Sequence, residues 1–154
     1  MFGLLKSKKE PLIADAEQRK IVEAIKKAER NTSGEVRVFV ESRCSYVDAM
    51  DRAKEIFFKL QMDRTEEHNG VLVYVALEDR QMALYGDEGI YKKTGGDPYW
   101  VYELNMMKRS FQEGKIADGI ANCVINIGTA LAQHFPYNID TDKNELPDDI
   151  VFGN

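Results

Sequence analysis

The chain has 154 residues, of which 44% are hydrophobic and 31% charged, and its formal net charge is -5 at pH 7. This length and composition predict one folded domain and exclude a disordered chain, whose hydrophobic content would be low. The negative net charge argues against a nucleic-acid-binding protein, because Lys and Arg drive binding to the phosphate backbone.

The first half of the chain alternates between helical and strand-like patterns. From Asp15, apolar residues recur at helical spacing as far as the polar turn at 31–34, which predicts an amphipathic helix. Residues 35–41 change to a period of two, which predicts a strand. Helical spacing returns over 48–60. Residues 71–76 form a continuous apolar run, as expected of a central strand covered on both faces.

The second half predicts a hairpin followed by two helices. The strand-like residues 81–85 follow the apolar run after only four residues, which predicts an antiparallel hairpin. Residues 86–96 are predicted to form a loop. Asp97-Pro98 then opens a helix, since Pro is favoured at the first helical position. A last long helix is predicted from Ile116 to about His134.

Together these elements predict an α/β fold, a three-layer α/β/α sandwich with a small mixed central sheet. We expect an N-terminal tail at residues 1–13, the folded domain at 14–136, and an irregular acidic C-terminal tail at 137–154. The apolar run at residues 1–5 is too short for a signal peptide, and no segment reaches the roughly 18 apolar residues that cross a bilayer. We therefore expect a cytoplasmic monomer without a transmembrane segment. Docking of residues 1–9 on a membrane surface is a minor alternative, because so short a segment would bind marginally.

Sequence motifs exclude several chemistries. The chain has no P-loop, no G-x-G-x-x-G and no G-x-S-x-G. Cys44 and Cys123 stand in no spacing typical of zinc or redox sites. His68 and His134 have no partner at helical spacing, so a histidine-based metal site or general base has little support. We expect His134 to complement the dipole at a helix C-terminus.

Acidic residues near glycines form the most suggestive feature. Asp87 and Glu88 lie between two glycines after a predicted strand, and Asp97 follows a glycine pair in the same excursion. Glycines permit tight turns, which could bring these three carboxylates together. Ca²⁺ and Mg²⁺ prefer carboxylate and carbonyl oxygens, so the three residues are a candidate metal site.

Two other interpretations of the acidic residues stay open. The cationic side chains of Arg80, Lys92 and Lys93 could neutralise them instead of a metal. In the simplest case Asp97 is a helix N-cap followed by proline, and Glu88 faces solvent.

Several blocks of the chain, in this order and spacing, resemble the TPM domain family: Thr32–Val38, Asn69–Ala76, Asp79-Arg80, Tyr85–Ile90, Phe111–Lys115 and Asn144–Asp148. The resemblance covers about residues 14–150. It implies an α/β/α sandwich, divalent-cation binding by acidic loop residues, and a weak acid-phosphatase activity attributed to some members. By position, Asp87, Glu88 and Asp97 correspond to the acidic residues of that site. Many relatives carry a signal peptide and a membrane helix, so the roles of those members are not transferred.

The resemblance leads to two predictions of function. The first is a Ca²⁺- or Mg²⁺-binding interaction module with an unidentified protein partner, possibly in maintenance of a membrane or multi-subunit complex. The alternative is a weak metal-dependent acid phosphatase, in which Arg80 would steady the leaving charge.

Overall fold

The computed structural model describes residues 11–137 and 149–153. These residues form, in chain order, α1 (Asp15–Glu29), β1 (Glu35–Glu41), α2 (Ala49–Lys59), β2 (Gly70–Ala76), β3 (Gln81–Gly86), α3 (Glu88–Lys93), α4 (Asp97–Gln112), α5 (Ile116–His134) and β4 (Ile150–Phe152). A short 3-10 turn at Met62–Arg64 lies between α2 and β2.

The four strands form one mixed sheet in the order β3-β2-β1-β4. Strand β1 runs parallel to both of its neighbours, and Val38 pairs with Val73 on one side and Ile150 on the other. Strands β2 and β3 are antiparallel, with Val73 opposite Leu84. The predicted hairpin is therefore confirmed, and the sheet is mixed as expected.

Helices cover the sheet on both faces. The valines of β1 and β2 that point to one face pack with apolar residues of α1, α4 and α5. On the other face, Phe39, Leu72 and Tyr74 pack with apolar residues of α2. The continuous apolar run of β2 is buried throughout, as its position between the two layers requires. The predicted three-layer α/β/α sandwich is confirmed.

The longest helix, α5, holds the larger helical layer together. Its residues Ile120, Val124, Ile127 and Leu131 are fully buried, and each such side chain contributes roughly 1.5–3 kcal/mol. Where α5 crosses α1, a Cβ on Gly128 would lie 2.5 Å from the Cβ of Ala28, so only glycine permits this approach. No helix in the two described ranges has the length and apolar character needed to cross a membrane.

Three predictions made from the sequence need correction. Residues 150–152 are not irregular, because pairing with β1 stabilises them as a strand. Residues 88–93, predicted as loop, form α3, which begins at a capping aspartate. The core also extends past the predicted domain boundary, since Ile13 is 6% exposed and packs in the larger cluster. Residues 1–10, 138–148 and 154 of the two predicted tails lie outside the described residues.

Candidate functional site

A cavity of about 670 Å³ lies at the C-terminal end of β3, where α2, α3 and α4 converge. This volume falls within the range typical of small-molecule sites. Its lining comprises Met50, Lys54, Phe58, Asp63, His68, Leu84, Tyr85, Gly86, Asp87, Glu88, Tyr91, Asp97 and Trp100. All three predicted site residues are among them. We call this space the acidic cavity, because four carboxylates face it against one lysine and one histidine.

Asp87 is the most firmly held of the carboxylates. It is 7% exposed and caps α3, with Oδ1 accepting a hydrogen bond of 2.8 Å from the backbone N–H of Glu88. Its other oxygen, Oδ2, lies 3.3 Å from His68 Nδ1. The backbone N–H of Asp87 also donates to Gly70 O at 2.9 Å, which continues the β2–β3 ladder by one residue. The hairpin therefore places Asp87 beside the residues that precede β2.

The turn before β2 is shaped to receive α3. His68 has a φ of 51°, a left-handed conformation in which histidine is more common than most residues. Its carbonyl accepts a hydrogen bond of 3.3 Å from Ile90 N. A Cβ on Gly89 would lie 2.2 Å from Glu67 O, so the glycine allows this close contact. The contact holds the imidazole of His68 against Asp87.

Asp97 opens α4 but does not cap it. The N-cap position belongs to Gly96, and no side chain caps this end, so the interpretation of Asp97 as an N-cap is wrong. Pro98 is the second residue of α4, within the first turn, and not the first residue as predicted. Asp97 Oδ1 instead accepts a hydrogen bond from the Tyr91 hydroxyl, and this bond raises the pKa of Tyr91. A tyrosine of the preceding helix thus replaces the expected backbone partner.

Glu88 faces solvent, as the simplest interpretation expected. Its Oε1 lies 3.7 Å from Lys92 Nζ one turn along α3, and both side chains are largely exposed. Exposed pairs of this kind contribute little to stability. Lys92 is thus the one predicted neutralising cation that pairs with a site carboxylate among the described residues.

The three predicted ligands do not form a ready-made metal site. Within residues 11–137 and 149–153, no group of three or more His, Cys, Asp or Glu side chains is placed to hold a metal ion. Asp87 has a hydrogen-bonding partner on each oxygen, and Tyr91 occupies one oxygen of Asp97. The donor chemistry suits Ca²⁺ or Mg²⁺, but the geometry does not supply a closed set of ligands.

Aromatic side chains form much of the remaining wall. Trp100 donates through Nε1 to Thr94 Oγ1 at 2.9 Å, which fixes the indole over the end of β3. Tyr85 packs edge-on against Phe57, with ring centroids 4.7 Å apart. Burial, together with the charges of Asp87 and Glu88, raises the pKa of Tyr85. The acidic cavity therefore combines apolar walls with a negatively charged rim.

Arg80 lies at the other end of β3. It directly precedes the strand that Asp87 follows, and six strand residues span about 20 Å. It lines a second cavity of about 720 Å³ with Leu77, Met82, Lys108, Phe111, Gln112, Gly114 and Ile116. We call this second space the basic cavity. The predictions that Arg80 neutralises the acidic residues, or steadies a leaving group beside them, are therefore wrong.

The sequence interpretation gave His68 little support as a site residue, and it missed the aromatic residues Tyr91 and Trp100. A clue to His68 was available, because an antiparallel hairpin places the residues before β2 beside those after β3. Tyr91 and Trp100 offered no comparable clue. The positions of both side chains depend on α3, a helix that the glycine-rich sequence of residues 86–96 did not predict.

Comparisons with known proteins agree with this architecture. A family model described as TPM domain matches residues 7–130. The chain is 41% identical to the BA42 protein from the psychrophilic bacterium Bizionia argentinensis, whose NMR structure it matches with a TM-score of 0.84, covering 96% of this chain and 99% of that one. None of the curated proteins compared with the chain matches it.

Two more distant NMR structures share the fold alone. The N-terminal domain of the cg2496 protein from Corynebacterium glutamicum is 13% identical, with a TM-score of 0.61 and coverage of 91% of this chain and 80% of that one. The N-terminal domain of a protein from P. gingivalis is 18% identical, with a TM-score of 0.57 and coverage of 82% and 83%. Because the family model spans most of the chain and the BA42 protein matches nearly all of it, this chain belongs to the TPM domain family.

Proposed function

We propose that this chain is a binding module whose acidic cavity takes up a positively charged group, and that Ca²⁺ or Mg²⁺ binds to the same carboxylates. The observation that supports this function is the excess of negative charge in one cavity. Asp63, Asp87, Glu88 and Asp97 face it, against Lys54 and His68. The low-dielectric walls of a cavity concentrate the electric field of such carboxylates, and this field attracts cations.

A divalent cation would be bound partly through water. Asp87 and Asp97 are the carboxylates best held by the fold, so they are the proposed direct ligands, and Glu88 can reach the rim from solvent. Mg²⁺ in particular keeps several of its waters and uses only one or two carboxylates. A site of this kind binds more weakly than one with a complete set of protein ligands.

The proposed partner of the module is a protein. Aromatic walls such as those formed by Phe58, Tyr85 and Trp100 are suited to an apolar side chain, since aromatic residues contribute much of the energy in protein interfaces. A partner that presents a basic residue beside an apolar one would match both the walls and the rim. Maintenance of a membrane or multi-subunit complex is one setting for such an interaction.

The first test is a titration of chelator-stripped protein with Ca²⁺ and with Mg²⁺, followed by amide NMR. We expect saturable shifts centred on residues 87–97. Asp87→Asn and Asp97→Asn should each weaken binding about tenfold, whereas Asp51→Asn, an exposed charge on α2 outside the cavity, should leave it unchanged. Flat spectra, or equal effects of all three substitutions, would contradict cation binding at this site.

A weak acid-phosphatase activity is the alternative. The His68–Asp87 pair favours it, because a carboxylate that orients an imidazole is a common arrangement in acid–base catalysis. Against it, the acidic rim repels a phosphate, and Arg80 lies at the opposite end of β3. Turnover of p-nitrophenyl phosphate that requires a divalent cation and is lost in His68→Gln would support the enzyme. Turnover that persists in His68→Gln, Asp87→Asn and Asp97→Asn would contradict catalysis at this site.

A further inference from the structure

The acidic cavity is lined by aromatic rings as well as by carboxylates. Phe58, Tyr85, Tyr91 and Trp100 contribute the rings. Phe58 is 51% exposed and Tyr91 37%, so solvent reaches both of these side chains. The faces of aromatic rings carry partial negative charge and attract cations. The rings therefore add to the attraction that the carboxylates exert on a positive group.

The fold holds two of these rings in place without a ligand. The Tyr91 hydroxyl donates to Asp97 Oδ1, and a Cβ on Gly96 would lie 3.7 Å from the same ring. Tyr85 packs against its aromatic neighbours, with its ring centroid 6.4 Å from that of Phe58. Because these side chains are already ordered, a ligand that contacts them loses little affinity to their conformational entropy.

The carboxylates attract cations but have few oxygens left for direct coordination. Both oxygens of Asp87 have hydrogen-bonding partners. One oxygen of Asp97 accepts from Tyr91, and Glu88 pairs with Lys92. A metal ion must displace some of these contacts or bind through water. A cation that responds to the electric field, without coordination by oxygen, leaves them intact.

A quaternary ammonium group is a cation of this kind. It has no N–H group, so it needs no hydrogen-bond acceptor, and its methyl groups suit apolar walls. It is attracted to aromatic faces within about 6 Å of the ring centroid. The primary ammonium group of lysine is strongly hydrated and has three N–H donors to satisfy. The combination of rings and bonded carboxylates therefore favours the methylated group.

We infer that the acidic cavity binds a quaternary ammonium group on a small apolar body, as in choline or the side chain of trimethylated lysine. The aromatic rings contact the methyl groups, and the carboxylates supply the electric field without coordinating the nitrogen. A cavity of about 670 Å³ also leaves room for the apolar body. The inference deepens the proposed function, on which it rests, by naming the chemical class of the positive group.

The direct test is a titration of chelator-stripped protein with choline. Trp100 is the only tryptophan of the chain, so its fluorescence reports on the cavity. Choline should produce a saturable change. Dimethylbutanol, the neutral analogue in which carbon replaces the nitrogen, should bind about tenfold more weakly or worse. Equal binding of the two compounds would overturn the inference, and so would the absence of a saturable change in both fluorescence and amide NMR.

Amide NMR also locates the bound choline. The shifts should centre on residues 84–91, most of which line the acidic cavity. The basic cavity is the internal comparison, because it has a similar volume and none of its lining residues named above is acidic. Its amides should not shift. Shifts centred on the basic cavity would overturn the assignment of the site.

Ring substitutions separate attraction by the aromatic faces from apolar packing. Phe58→Leu and Tyr91→Leu should each weaken choline binding about threefold to tenfold, because leucine is apolar but has no aromatic face. Phe58 makes no side-chain hydrogen bond, so its substitution tests the ring alone. Tyr102→Leu is the matched control, since Tyr102 is 59% exposed on α4 and does not line the cavity. Thermal unfolding verifies that each variant is folded, and equal effects of the three substitutions would contradict the inference.

Two peptides identify the source of the group. They are acetyl-Val-Lys-Val-amide and the same peptide with its lysine trimethylated, and the second should bind about tenfold more tightly. If it also binds more tightly than choline, the group comes from a partner protein, and if choline binds more tightly, it comes from a free small molecule. Equal binding of the two peptides would overturn the inference and leave the proposed function, which requires only a positive charge.

The metal and the ammonium group are tested independently. Choline binding together with flat Ca²⁺ and Mg²⁺ titrations would remove the metal from the function and support the inference. Shifts with the metals but no binding of choline would overturn the inference and leave metal binding intact.

Discussion

Two regions of the molecule each bury a glutamate, and they hold it in opposite ways. Beneath α2, Glu41 accepts from Arg52 Nε and Nη2, both at 2.9 Å, and from the Tyr74 hydroxyl at 2.5 Å. Between α4 and α5, Glu103 is 6% exposed and accepts a bond of 3.2 Å from Asn126 Nδ2. The first carboxylate has a cation beside it, and the second has an amide.

The comparison shows that the partner, more than burial itself, sets the charge of a buried acid. Burial alone would raise the pKa of Glu41, but the bonds from Arg52 and Tyr74 outweigh it and hold the pKa below its usual range. Burial raises the pKa of Glu103, and the bond from Asn126 offsets this only in part. A carboxyl group whose pKa is lower in the folded than in the unfolded protein stabilises the fold at pH values above its unfolded-state pKa. This stability is lost as the pH falls through the folded-state pKa. A raised pKa destabilises the fold as the pH rises.

The largest expected effect comes from removing the cation. Arg52→Met should lower the free energy of unfolding by about 3 kcal/mol at pH 7, because it leaves Glu41 buried without its charged partner. The measurement is urea denaturation followed by circular dichroism. Arg43→Met is the matched control and should change stability by less than about 0.5 kcal/mol, since Arg43 pairs with Glu78 on the exposed surface. Similar losses for both variants would contradict the difference.

The second effect is on the pH dependence. Glu41→Gln should cost about 2 kcal/mol at pH 7 and much less at pH 3, because the native carboxylate loses its advantage as it is protonated. The free energy of unfolding should therefore fall less steeply in the variant than in the parent as the pH is lowered. Parallel acid limbs for variant and parent would assign the acid sensitivity to other carboxylates.

A smaller effect distinguishes two tyrosines whose hydroxyl groups are buried. Tyr74→Phe should lower the free energy of unfolding by about 1 kcal/mol, because Glu41 loses the hydrogen bond that the Tyr74 hydroxyl donates to it. Tyr99→Phe should cost nothing or stabilise slightly, since the buried Tyr99 hydroxyl has no hydrogen-bond partner in the described structure. Both are measured by thermal unfolding. Equal losses would contradict the expected difference between a hydrogen-bonded hydroxyl and one without a partner.

The smallest effect has the opposite sign. Glu103→Gln should stabilise the protein by about 1 kcal/mol at pH 8, because burial raises the pKa of Glu103 and this destabilises the parent as the pH rises, and by almost nothing at pH 4. Denaturation at the two pH values measures the difference. A destabilised variant at pH 8 would mean that Glu103 has a cationic partner in solution.

Most of the fold could be predicted from the sequence, because long segments have clear periods. The helical stripe of α5 and the continuous apolar run of β2 each extend over enough residues to identify the element. Strand β4 has only three residues and depends on pairing with β1, so its own sequence could not reveal it. Helix α3 has six residues, too few for a helical period to show.

The site was only partly predictable for a related reason. Asp87, Glu88 and Asp97 could be selected as neighbours in sequence that glycines might bring together. The contact of Asp87 with His68 depends on hairpin register, and the contact of Asp97 with Tyr91 depends on α3. Arg80 shows the converse error. It is close to Asp87 in sequence, but an extended strand keeps the two apart.

The order of strands in the sheet has a consequence for synthesis of the chain. Strand β4 leaves the ribosome after every other described element, and it pairs with β1, one of the earliest, through contacts such as Ile150 with Val38. Until then β1 has an unpaired edge, while α1, β1 and β2 can already associate. Long-range pairing of this kind slows folding and leaves strand edges open to wrong partners. The nascent chain therefore has a period of vulnerability to aggregation that ends only when β4 is paired with β1.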